Sequence, residues 1–171
     1  YFNTLEVETV LSMLAVIDNP MQDIPLAAVL KSPVGGMSDL ELATMMADYR
    51  SCADKGQDRG IYAAAVRWER LNGFFEKLEQ FRLLASYLPI HELIYRLYEE
   101  TGYYDYVSSM PAGETRRANL DMLAEKAAAY ASTSYRGLFH FVRYIEKLKK
   151  YDTDFGEASP GDEGNSVRIM S

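Results

Sequence analysis

Cysteine occurs once, at Cys52, and histidine twice, at His91 and His140, in a chain of 171 residues. A single thiol excludes an intramolecular disulfide and a four-cysteine zinc knuckle, and it fits a reducing, cytoplasmic setting. Long apolar runs are missing as well. The longest uncharged ones, such as Thr9 to Ile17, are about half of the ~18 residues a membrane span requires, so no membrane partner is expected. No basic-then-apolar leader stands ahead of the first helix pattern, and nothing points to export. The chain opens at Tyr1 and stops just after Val167-Arg168-Ile169-Met170, which reads as an excised piece. Phosphate-cradle signatures are lacking, with neither GxxxxGK[ST] nor GxGxxG present.

What the chain does have is an ordinary globular make-up, 48% apolar, with 18 basic against 25 acidic residues and a net charge of −7. A chain of this size buries about 70% of its unfolded surface. The charge is unevenly placed. Residues 152–166 hold Asp152, Asp154, Glu157, Asp162 and Glu163 with no basic residue, and read as an acidic flexible linker. Residues 115–151 hold eight basic residues against three acidic ones, a net of +5, while residues 1–114 carry −8. An acidic total argues against nucleic acid, yet a local basic stretch can still face phosphate. The competing reading is a merely solvated helix face.

The periodicity is helical nearly throughout. Leu5, Val7, Val10, Leu11, Leu14 and Ile17 have the spacing of an amphipathic helix, ended by Asp18-Asn19-Pro20. Asp23 is placed to cap a second helix through Leu26, Val29 and Leu30, with Pro25 in its first turn. Residues 31–37 form a tight loop, and Ser38-Asp39-Leu40-Glu41 matches a capping box opening a helix to about Arg50. The spacing predicts one long helix from Ile61 to about Leu88, interrupted only by Gly73, with Trp68, Leu71, Phe75, Leu78 and Phe81 on one face. A further helix carries Leu93, Ile94, Leu97 and Tyr98, with Pro89 in its first turn and Gly102 as C-cap. Two more follow, from about Glu114 to Ala131 and from a Thr133 or Ser134 cap to about Lys150. Only Ser166 to Met170 reads as the start of a strand. The expected architecture is an all-α multi-helix bundle over residues 1–151, with a strand stub at 167–171.

Catalytic constellations are not apparent. His91-Glu92 opens like a zinc-protease helix, but Tyr95 stands where the second imidazole ligand is needed. His140 lies between Phe139 and Phe141 with no carboxylate or thiol at ligand spacing. Cys52 has no partner motif, and Glu99 and Glu100, being adjacent, fall on different helix faces. The thirteen tyrosines suggest either a base-stacking surface or, more simply, core aromatics with hydroxyls at the rim. Two binding features remain. The Ser32–Ser38 loop puts Gly35 and Gly36 just ahead of a capped helix, where exposed amides would suit one phosphate; a plain connector would look the same. In the last helix Arg136, His140, Arg143, Lys147 and Lys150 step by 4, 3, 4 and 3 onto one face, opposite Leu138, Val142, Ile145 and Leu148.

Three stretches carry a resemblance that spans almost the whole chain. They are Tyr1-Phe2-Asn3-Thr4-Leu5-Glu6-Val7, then residues 14–33 with Asp18-Asn19-Pro20-Met21-Gln22-Asp23-Ile24-Pro25, then Thr133 to Ile145. These resemble superfamily 1A, UvrD-like helicases at their 2B subdomain, and most of all the A subunit of the bacterial ATP-dependent helicase/nuclease of the AddA (RexA) type. Residues 166–171 look like the strand leading into the next helicase motif.

The resemblance implies a 2B subdomain that performs no chemistry and holds no cofactor itself. Its parent would be an ATP- and magnesium-dependent 3′–5′ DNA helicase and exonuclease acting in double-strand-break processing and recombinational repair. Expected partners are double-stranded DNA, the B subunit of the helicase/nuclease, and the other motor subdomains of the same chain. In UvrD-like relatives a Gly-Ile-Gly loop grips the duplex; its counterpart is Gly36-Met37-Ser38, with Ser38 in place of the second glycine and Gly35 where relatives carry a basic residue. The implied DNA contacts are Lys31, Ser32, Gly35, Gly36, Met37 and Ser38 in the loop, and Arg136, Arg143, Lys147 and Lys150 in the basic helix. The alternative is a protein-docking module between subunits or subdomains.

Overall fold

The computed structural model describes residues 2–54, 56–133 and 137–157. Among them are nine α-helices and no strand: α1 (Leu5–Asp18), α2 (Asp23–Lys31), α3 (Asp39–Cys52), α4 (Ile61–Ala65), α5 (Asn72–Ala85), α6 (Ile90–Thr101), α7 (Tyr103–Ser108), α8 (Gly113–Thr133) and α9 (Leu138–Glu157). The expected all-α bundle is therefore what forms. α9 runs past Lys150 into the first six residues of the acidic stretch. The rest of that stretch, and the strand expected at 167–171, lie outside the described residues.

α1 is the hub. It packs against α2, α5, α8 and α9. Its pattern reads as amphipathic, but ten of its 14 residues are buried, with Val7, Val10 and Leu14 wholly enclosed. A helix covered on nearly every side needs apolar side chains on nearly every side, which the run from Val7 to Ile17 supplies. Around it, α2, α3 and α4 pack on one another, and α6, α7 and α8 do the same.

The long helix expected from Ile61 to Leu88 is broken. α4 stops at Ala65, Trp68 is extended (φ −88°, ψ 104°), and a short 3-10 turn over Glu69–Leu71 leads into α5. The two halves serve different neighbours: α4 packs on α2 and α3, whereas α5 packs on α1 and α6. One straight rod would not reach both. Leu71, Leu78 and Phe81 still share the buried face, with Trp68 and Phe75 half-buried beside them.

Asp23 also differs from expectation. Its Oδ1 accepts the Ile61 amide at 2.8 Å, 38 residues along the chain, and so caps α4 instead of its own helix. Gly102 behaves as read, left-handed at φ 65°, closing α6 and turning directly into α7. Pro89 sits one residue earlier than expected, as the N-cap of α6.

One charged group is inside this core. Glu6, 2% exposed, accepts Arg116 Nη1 and Asn119 Nδ2 from α8, each at 2.7 Å. Burial pushes this carboxyl up, but hydrogen bonds from Asn119, its own backbone and Thr4, with the Arg116 charge, outweigh burial and hold it below its ordinary 4.5. The same surroundings, burial foremost, push the Tyr103 hydroxyl above 10 and keep it neutral.

Because Glu6 titrates lower in the folded chain than in the unfolded one, the unfolded chain binds the extra proton. The stabilisation is complete above the ordinary carboxylate range and is lost as pH falls through the lowered native value. Urea unfolding from pH 7 to pH 3 should therefore show a shallower acid decline for Glu6→Gln than for the parent chain. Arg116→Met, which strands the buried carboxylate, is expected to cost about 3 kcal/mol at pH 7. Phe141→Ala, at a wholly enclosed ring in α9, is expected to cost about 3–5 kcal/mol in the same assay.

Candidate nucleic-acid interface

The loop between α2 and α3 begins where Ser32 ends α2. The Ser32 hydroxyl donates to Val29 O at 2.7 Å and accepts the Val34 amide at 3.2 Å. The Gly35 and Gly36 amides both donate to Ser32 O (3.1 and 2.8 Å), and the Met37 amide donates to Leu30 O (2.9 Å). The Ser38 amide donates to Glu41 Oε2 at 2.8 Å, and the Glu41 amide returns to Ser38 Oγ at 3.2 Å, completing the capping box. Every N–H from Val34 to Ser38 is thus used inside the loop or its cap. The sequence pattern leaves these amides open to a phosphate; the structure spends them on holding the loop's own shape. Ser32 and Met37 face inward, while Lys31, Gly36 and Ser38 are exposed.

Charge at the loop is balanced too. Lys31 pairs with Asp39, and Arg70 pairs with Glu41 while its Nη2 donates to Gly36 O at 2.9 Å. Arg70, 34 residues downstream, is a clamp on this loop that no local pattern announces. Gly35 explains the adjacent glycines: a Cβ there would lie 2.4 Å from both Leu30 Cα and Leu30 O. Gly36 is left-handed at φ 65° with open space around it.

In α9 the two faces separate as expected, with one change of membership. Leu138, Phe141 and Ile145 are buried, Phe141 most completely, and Val142 and Leu148 are half-buried. Arg143, Lys147 and Lys150 are exposed on the opposite face, and among the described residues none of the three is held by an ion pair. Arg136 lies outside the described residues. Lys149 turns the other way and pairs with Glu8 of α1, fixing this end of α9 to the hub. Glu8 also lines a pocket of about 570 Å³ together with Lys31, Ser32 and Arg116. The start of the loop and the Lys149 end of α9 therefore have a common neighbour, whereas the Gly36 tip is fastened to Arg70.

His91 is half-buried on α6 with an unpartnered Nδ1. Among the described residues no three His, Cys, Asp or Glu side chains are grouped to hold a metal ion, and no helix is long and apolar enough to cross a membrane.

Fold and surface define an all-α multi-helix bundle that turns exposed cations outward from one helix. No family model matches the chain. Over its whole length it is 47% identical to a segment of the A subunit of the ATP-dependent helicase/nuclease of Desulforudis audaxviator, 45% to that of Clostridium acetobutylicum and 41% to that of Bacillus cereus. The whole chain is thus similar to one segment of the A subunits of ATP-dependent helicase/nucleases. It spans 14% of the length of these relatives.

Gly35→Ala forces the Leu30 backbone to move and is expected to destabilise the chain by about 2 kcal/mol. Gly36→Ala meets only the left-handed penalty, about 1 kcal/mol. Urea midpoints of the two variants check that order, and the reverse order would show that the Leu30 contact is not what holds the loop.

Proposed function

We propose that the chain is the 2B subdomain of a helicase/nuclease A subunit, where it holds the double-stranded arm of the DNA while the rest of the protein supplies motion and cleavage. The observation that carries this reading is the outward triplet Arg143, Lys147 and Lys150, exposed and without ion pairs among the described residues, on a helix whose other face is buried. Full-length similarity to proteins named as parts of ATP-dependent helicase/nucleases supports it. Cations of this kind orient a duplex through its phosphates without reading sequence. Lys31, exposed at the start of the loop beside its partner Asp39, is assigned a secondary part in this contact. The self-bonded loop contributes a fixed shape in place of free amides.

In this reading ATP and magnesium act in the parent protein, as does the 3′–5′ unwinding and exonuclease chemistry of double-strand-break repair, and this segment performs none of it. The parent works in the cytoplasm alongside a B subunit. A docking role has its own supporting observation. Leu5 and Ile24, 66% and 85% exposed, line the pocket that Lys31 and Glu8 share, and an apolar rim of this sort suits another subdomain or the B subunit.

Salt separates the two. Binding of the 171-residue chain to a blunt duplex should weaken steeply with added salt, with a log–log slope of about −2.7 for three phosphate contacts. The Arg143→Glu, Lys147→Glu double variant should lose about tenfold in affinity, some 1.4 kcal/mol, and flatten the slope. An unchanged affinity would remove α9 from the interface.

A further inference from the structure

The outward face of α9 is not only basic. At about 100° per residue, Phe139, His140, Arg143, Tyr144, Lys147, Lys150 and Tyr151 fall within an arc of about 140° pointing away from Phe141 and Ile145. Phe139 is 52% exposed, Tyr151 62% and Tyr144 36%. Two of these rings are fixed by neighbours: the Arg143 guanidinium lies 5.8 Å from the Phe139 ring centroid, and Tyr144 rests on Tyr130 at 5.1 Å and 30°. From Phe139 to Tyr151 the face runs about 18 Å along the helix. Aromatic and cationic side chains are interspersed along that length, with the exposed Glu146 just outside the arc.

The exposed ring of α6 has different company. Tyr95, 50% exposed on α6, has Glu92 and Glu99 as its i−3 and i+4 neighbours. A base approaching there would bring its phosphate towards carboxylates. On α9 it would bring it to Arg143, Lys147 or Lys150.

A duplex presents phosphates outward but keeps the faces of its bases stacked on each other, so a purely duplex-facing surface has no use for solvent-exposed rings. Unpaired bases do offer those faces, and ring–base stacking next to backbone cations is how sequence-tolerant single-strand surfaces work. The Arg143–Phe139 contact sets a cation and a ring side by side before any ligand arrives.

We infer that the exposed face of α9 is a binding surface for single-stranded nucleic acid, with Phe139, Tyr144 and Tyr151 stacking unpaired bases and Arg143, Lys147 and Lys150 meeting the phosphates. This rests on the reading of α9 as a DNA-facing helix and deepens it: the face takes strand that has lost its pairing, in addition to the duplex arm.

The test uses the 171-residue chain and four labelled probes in fluorescence anisotropy: a 15-nucleotide oligothymidine, a 15-nucleotide abasic strand with the same phosphates, a blunt 15-base-pair duplex, and polyglutamate. Oligothymidine should bind about tenfold tighter than the abasic strand. The Phe139→Ala, Tyr151→Ala variant should lose that tenfold while duplex affinity stays within twofold, and Phe139→Leu, Tyr151→Leu, which keeps apolar bulk without ring faces, should do the same. Circular dichroism confirms that both variants remain folded. Equal binding of oligothymidine and the abasic strand, or an unchanged oligothymidine affinity in both variants, overturns the stacking surface while salt-sensitive duplex binding leaves the duplex-holding role intact. Polyglutamate binding as tightly as oligothymidine overturns it too, since the face would then be a site for acidic peptides. Binding to none of the four overturns both.

Discussion

A carboxylate enclosed within the hub helix is the constraint around which the other helices are arranged. Glu6 lies in α1 at 2% exposure, and its two oxygens are met from α8 by Arg116 and Asn119. An enclosed negative charge is tolerated only where partners are aimed at both oxygens, so α8 has little freedom to slide or rotate against α1. Hydrophobic burial supplies most of the attraction between these helices but sets no register; the Glu6 pairing does. Tyr98 adds a second fix, its hydroxyl donating to Leu120 O across the α6–α8 contact. α6, α7 and α8 are thereby aligned on a helix that also carries α2 and α9.

What the sequence makes legible here is local. The Ser38–Glu41 box, the Gly102 turn and the two faces of α9 each depend on residues within one or two turns of each other, and all are present. What it hides acts over distance. Asp23 has the composition and position of a cap for α2, yet its partner is the Ile61 amide in another helix. The apolar repeat from Ile61 to Phe81 looks continuous because both halves of the broken helix keep the same period; the break follows from where α2, α1 and α6 stand, which no local window contains. Phe139 and Phe141 are chemically alike and two residues apart. These two the helical period does separate: Phe141 lies three and four residues from Leu138 and Ile145 and goes inside with them, whereas Phe139 falls on the basic side and stays out.

The same distinction governs the candidate interface. Paired glycines before a capped helix have the local look of a phosphate cradle, and the resemblance to helicase 2B loops strengthens that look. Its amides are consumed by Ser32, Leu30 and Glu41, and the decisive clamp, Arg70, comes from beyond α3 and α4. The cations of α9 are legible from spacing alone, since a helix places residues three and four apart on one side whatever the rest of the fold does. Their lack of ion pairs among the described residues is not, because it depends on which carboxylates other helices bring near.

Lys149 gives α9 a mechanical property that its neighbours Lys147 and Lys150 do not have. Those two face solvent, whereas Lys149 is bolted to Glu8 in the hub. Tension applied to the outer side chains is handed through this joint to the backbone of α1 instead of peeling α9 away from its end. α1 in turn grips α2, α5 and α8. A load taken up at α9 is thus passed first to the helices that α1 touches, and only through α2 to α3 and α4.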